Sequence, residues 1–242
     1  MPEDWKPKIL ALDTSSDFCS VTLCHQGRLS SEGESAPRQH AQILLPMVRS
    51  VLEAQSLSLN EIDAIAFGCG PGSFTGLRIA TGVAQGLAYG IGCPVIPVSS
   101  LRAMALQSYH QHGEQNVLVA LDARMDEVYW AAFELNGGPT SDIYVNCLTG
   151  EHVAAPESLF LPESHVSKRF VGLGCGFAYA SRMPDLLQAS ISFFDISARP
   201  HADAVCELAV QDYQQGVRHD PAEVTPTYLR DTVTWKKLPG RE

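Results

Sequence analysis

The sequence is short of positive charge: 17 Lys and Arg stand against 27 Asp and Glu, a net −10 over 242 residues. Nucleic-acid backbones are held by clustered cations, so this balance excludes a protein that binds nucleic acid over its whole surface. Paired cysteines are missing too. The seven cysteines (19, 24, 69, 93, 147, 175 and 206) are odd in number, scattered and without a Cys-x-x-Cys, which excludes a zinc ribbon and a dense disulfide framework. The stretch Met1 to Lys8 holds no apolar signal-peptide core, and a cytoplasmic, reducing location is the expectation. The glycine-rich segment 68–76 does not end in Gly-Lys-Ser/Thr, no His-Glu-x-x-His occurs, and Ser73 lacks a Gly-x-Ser-x-Gly elbow. P-loop, metallopeptidase and α/β-hydrolase chemistries therefore have no motif to stand on.

Apolar material is plentiful. Hydrophobic residues make up 45% and charged residues 18%, enough for a sizeable core and against wholesale disorder. The 23 uncharged residues 79–101 are long enough to span a bilayer, but glycines, Gln85, Pro94 and Pro97 interrupt them; a buried helix followed by a buried strand is expected. The cationic residues are unevenly placed. The last fifteen residues carry Arg230, Lys236, Lys237 and Arg241 against two acids, a net +2, which leaves −12 on the rest.

Two landmarks recur along the chain. The apolar run Ile9–Leu12 ends in Asp13, and Val117–Leu121 ends in Asp122, 109 residues later. Gly68-Cys69-Gly70 follows a buried strand, and Gly174-Cys175-Gly176 follows another 106 residues on. Each half opens with strands joined by a turn (Gln26-Gly27-Arg28; Asn136-Gly137-Gly138) and continues through helices and strands. Two related α/β halves are predicted, with a cleft where their strand ends converge.

Leu12-Asp13-Thr14-Ser15, the segment Gly68-Cys69-Gly70-Pro71-Gly72-Ser73-Phe74-Thr75-Gly76-Leu77-Arg78, Leu121 to Ala131, and the tail Tyr228-Leu229-Arg230 through Trp235-Lys236-Lys237-Leu238-Pro239-Gly240 resemble the bacterial TsaB (YeaZ) family. The resemblance implies an actin-like, ribonuclease H-like duplicated α/β fold with two related domains and mixed sheets. The expected division is 1–106 and 107–221, with 222–242 packing back on the first domain. It also implies a non-catalytic part in making threonylcarbamoyladenosine beside the anticodon of tRNA, as partner of the paralogue TsaD together with the ATPase TsaE.

An actin-like nucleotide site would draw on Asp13, Thr14 and Ser15, on Asp122, and on the turns holding Gly70, Gly72, Gly174 and Gly176. These are vestigial candidates: Asp122 is followed by Ala123-Arg124 where bare backbone would suit a phosphate better. The alternative is that both aspartates end strands and cap turns. TsaD-type enzymes bind a metal through two histidines four apart; Ser100 and Met104 occupy those positions here, so no metal is expected. No cofactor is required, and weak nucleotide binding stays open.

The helices suggest association instead. Over Phe74–Gly90, Gly82, Gly86 and Gly90 form one row and Ala80, Ala84 and Ala88 an opposite one, with Val83, Leu87 and Ile91 as a ridge between them. Small residues at this spacing admit another backbone, whether of this chain's own sheet or of a partner. The first helix offers His40, Leu44, Met47, Val48 and Val51, more than one stripe. The resemblance makes these residues, with Ala80, Val83, Ala84, Leu87 and Ala88, the expected interface for TsaD and for a homodimer. Direct tRNA contact through the basic tail, an independent actin-like ATPase or phosphotransferase, and a glycoprotease-like metallopeptidase are the competing readings.

Overall fold

The computed structural model describes residues 6–137 and 143–230. The chain begins with strands β1 (Ile9–Asp13), β2 (Phe18–His25) and β3 (Arg28–Ser35), then helix α1 (His40–Ala54), β4 (Ala64–Gly70), α2 (Phe74–Ile91), β5 (Val95–Ser99) and α3 (Ser100–His112). The second half repeats this with β6 (Asn116–Arg124), β7 (Glu127–Asn136), β8 (Tyr144–Cys147), β9 (His152–Ala154) and β10 (Phe170–Leu173). A 3-10 segment (Cys175–Arg182), α4 (Asp185–Ser190), β11 (Ile191–Asp195) and α5 (Ala202–Gln214) complete it.

The first sheet runs β3-β2-β1-β4-β5 and the second β11-β10-β6-β7-β8, with β9 also paired to β7. Read from the hairpin edge, both have the same order, and in both only the opening hairpin strands are antiparallel. Asp13 closes β1 and Asp122 lies two residues before the end of β6, while Gly68-Cys69-Gly70 closes β4 and Gly174-Cys175-Gly176 follows β10. This is the actin-like duplication. β1 and β4 are buried along their whole length because helices cover both faces of their sheet, hence their unbroken apolar runs.

Helices α2 and α3 carry their start and stop signals locally. The Ser73 side chain accepts from Gly76 N–H at the start of α2, and left-handed Gly92 (φ 72°) ends it. Ser99 caps α3 in the same way and Gly113 closes it. The uncharged stretch 79–101 thus divides into α2, a turn and β5, and no helix among the described residues is long and apolar enough to cross a membrane.

The helices do not respect the expected domain division. The 106/107 boundary falls inside α3, which packs mainly on the second sheet, while α5 from the second half packs on the first. Both are buried between the two sheets in one continuous core joining Ile9, Ala64 and Ile96 to Val117, Phe133 and Val171. Arg102 of α3 binds the Asp212 carboxylate of α5 through two nitrogens, at 2.8 and 3.2 Å. A cut at 106 would expose that core, so the two halves are units of topology rather than separable packing units. The segment after α5 returns to the first half: Val224 enters the α1–α2 core, and Gln85 donates to the carbonyls of Pro221 and Val224.

Candidate functional site

The predicted cleft residues gather at the carboxyl ends of the strands, where open α/β sheets place ligands. Asp13 is fully buried; its carboxylate accepts from the Ser15 backbone N–H (3.0 Å) and the Ser15 hydroxyl (2.9 Å). Burial outweighs those bonds and pushes its pKa up to about 6. The Thr14 hydroxyl donates to the Gly76 carbonyl at 2.7 Å, and the Ser73 N–H to the Ser15 carbonyl at 2.7 Å. A Cβ on Gly76 would stand 1.8 Å from the Thr14 carbonyl oxygen, and one on Gly72 would be 2.4 Å from that of Ser15. The glycine segment therefore presses against the Asp13–Ser15 turn, and the groups that would face a phosphate satisfy one another.

The second half is closed differently. Asp122 accepts from the Arg124 N–H (2.8 Å) and from the Arg124 guanidinium (3.1 Å). Arg124, Met125 and Asp126 all have positive φ (63°, 57° and 59°), so this turn takes the backbone shape glycine would ease while using side chains that cover the carboxylate. Gly174 (φ 105°) and Gly176 both lie against Ala120 of β6, within 3 Å were either to carry a Cβ. The chain's last described residues then run across both halves. Thr227 N–H donates to the Cys69 carbonyl at 2.7 Å, beside Gly70, and Arg230 reaches the Arg124 carbonyl at 3.3 Å and pairs with Glu127.

Ser100 and Met104 are fully buried within α3, and no group of three or more His, Cys, Asp or Glu among the described residues is arranged to hold a metal. One acidic group in the same region went unnoticed in the sequence. Glu151 accepts from Ser99, the cap of α3, and burial raises its pKa above the usual carboxylate range. It lies outside any motif, so only the fold brings it to the strand ends.

Asp13 gives a pH prediction. Its folded pKa lies above its unfolded value, so between about pH 4 and 6 the native state holds a proton that the unfolded chain has released. Its contribution is intact below pH 4 and is lost as pH rises to 6, by about 3 kcal/mol. Asp13→Asn should flatten that part of the stability–pH curve and be no less stable at pH 7.5. Urea titrations of both proteins at pH 4.5 and 7.5 measure the difference, and an unchanged slope would refute the assignment.

The proposed association surface needs correcting. Leu44, Met47, Val48 and Val51 are buried against the chain's own first sheet, as are Ala80, Ala84 and Ala88, each of the three alanines at 0% exposure, and His40 is buried at the start of α1. Side chains already packed in a core cannot meet a partner. What α2 turns outward is the other row. Gly82, Gly86 and Gly90 are exposed, and a Cβ on any of them would have nothing within 4 Å among the described residues. Val83 and Leu87, with Ile79, are half-buried beside them, and Tyr89 (80% exposed) and Leu45 of α1 (50% exposed) extend the apolar face.

Known proteins agree with this architecture. A family model described as "TsaD: tRNA N6-adenosine threonylcarbamoyltransferase" matches residues 32–238. The tRNA threonylcarbamoyladenosine biosynthesis protein TsaB of Haemophilus influenzae is 40% identical over 97% of this chain and 98% of its own length. That of Escherichia coli K12 is 39% identical over 97% of this chain and the whole of its own. The solved structure of YeaZ from Pseudomonas aeruginosa superposes with a TM-score of 0.85 at 42% identity, covering 92% of this chain and all of that one. With a shared fold, near-complete coverage and identity of this order, the chain belongs to the TsaB (YeaZ) family within the broader TsaD family.

Proposed function

We propose that this protein is a non-catalytic scaffold or regulatory subunit in the threonylcarbamoyl modification of the adenosine beside the anticodon in tRNA. It binds TsaD, positions or activates it together with TsaE, and pairs with itself when alone, in the cytoplasm. The observation that carries the reading is the outward glycine row of α2. Three helical glycines cost about 1 kcal/mol each relative to alanine, and among the described residues nothing packs on them to offset it. A partner helix laid along Gly82, Gly86 and Gly90 would supply that packing, with Val83, Leu87 and Leu45 as flanking apolar contacts.

The cleft supports a subunit without its own chemistry. Asp13, Thr14 and Ser15 are occupied by each other and by the glycine segment, Asp122 is covered by Arg124, and Thr227–Arg230 runs over both strand ends. The acidic body reaches tRNA through its partner; the alternative contact, the basic tail around Trp235, Lys236 and Lys237, lies outside the described residues. Reconstituted modification with TsaD and TsaE should fall to background when this chain is omitted and return when it is added. Modification that proceeds equally well without it would refute the scaffold reading. Calorimetry of the isolated chain with ATP and magnesium addresses the ATPase alternative, for which micromolar binding with turnover is the decisive sign.

A further inference from the structure

Two cysteines that are 182 positions apart meet in the core. Cys24 of β2 pairs in register with Ile9 of β1, on the sheet face covered by α5. That helix carries the small residues Ala202 and Ala209 around Cys206, so it sits close to the strands. The Cys206 sulfur lies 3.5 Å from the carbonyl oxygen of Ile9, the residue that Cys24 faces across the strand pair, so both cysteines adjoin the same residue. The two are 0% and 4% exposed, Cys206 the deeper.

Their surroundings are unequal. Cys24 lies just under the Gln26–Gly27 turn, whose Gly27 N–H points at its sulfur, and the Lys6 ammonium rests over the same glycine. The Cys206 contact, that N–H and the Lys6 charge together favour the Cys24 thiolate and bring its acidity to about 7 against the pull of burial. Cys206 accepts from the Cys24 backbone N–H, but burial outweighs that bond and keeps its thiol protonated.

We propose that Cys24 and Cys206 form a peroxide-responsive dithiol that closes to a disulfide, tying the first sheet to α5. The Cys24 thiolate attacks one peroxide oxygen and displaces hydroxide, giving a sulfenic acid. The Cys206 sulfur then attacks the Cys24 sulfur, and the sulfenic oxygen leaves as water with the Cys206 proton. Two thiols are oxidised, one hydrogen peroxide is reduced, and two waters form. The cross-link constrains the unfolded chain over most of its length, so the oxidised form should melt at a higher temperature.

The test uses the full-length protein, reduced, then exposed to hydrogen peroxide and mapped by mass spectrometry without reductant. A Cys24–Cys206 linked peptide, a mass loss of about 2 Da and a raised Tm that dithiothreitol reverses are expected. Cys24→Ser and Cys206→Ser should each abolish the link; if Cys206→Ser fails to fold, Cys24→Ser and the parent's peptide map carry the test. Alkylation of both cysteines after peroxide, a bridge to another cysteine, or accumulation of oxidised Cys24 with free Cys206 would each overturn the proposal.

Discussion

Gly86→Glu should abolish association without harming the fold. Gly86 is exposed on α2, and a Cβ there would meet nothing within 4 Å among the described residues. Glutamate is the better helix former by several tenths of a kcal/mol, so the Tm should hold or rise by a degree or two. At an interface the same side chain would block close backbone approach and bury an unpaired charge, a loss of about 3 kcal/mol or more. With tenfold in affinity for each 1.4 kcal/mol, binding to TsaD and to a second copy should weaken by at least about 100-fold. Analytical ultracentrifugation and pull-down with TsaD measure both. If both associations persist at parent strength, the interface lies elsewhere. Ala84→Glu cannot serve as this probe, because Ala84 is buried in the chain's own core and a charge there would test folding instead.

The second large effect lies on the same helix with the opposite sign. Gly76 sits in the first turn of α2, where a Cβ would stand 1.8 Å from the Thr14 carbonyl oxygen. That neighbour is backbone at the end of β1 and cannot swing aside, so helix or strand must move and the Thr14 hydroxyl loses its bond to the Gly76 carbonyl. Gly76→Ala should cost about 3 kcal/mol or more and lower the Tm by about 6–12 °C. Gly82→Ala, two turns on with open space around it, should instead add up to about 1 kcal/mol. A thermal melt of the pair decides the matter. Equal Tm values would mean that the approach of α2 to the Thr14–Ser15 turn is not what holds the glycine segment in place.

The duplicated architecture was legible in the sequence because its markers are local. Asp13 and Asp122 lie at or near the ends of β1 and β6, and the two Gly-Cys-Gly tripeptides close β4 and follow β10, so each repeat needed only its own few residues to be recognised. The cut at 106 misled for the opposite reason: the exchange of α3 and α5 between sheets depends on both being buried on two sides, and amphipathic pattern reports burial but not against which sheet. The cleft was legible as a set of residues and not as a set of contacts. Nothing in Thr14 or Gly76 announces that one closes on the other across 62 positions.

The sequence by itself determined the fold class, the family, the shortage of catalytic motifs and the two opposed rows of small residues on α2. Tertiary structure alone decided which row faces inward. Glycine and alanine are both small and near-neutral, so hydrophobic periodicity cannot rank them; the sheet beneath α2 takes the alanines, whose methyl groups fill its surface, and leaves the glycines to solvent. The same holds for Cys24 and Cys206, which only the packing of α5 on the first sheet brings together.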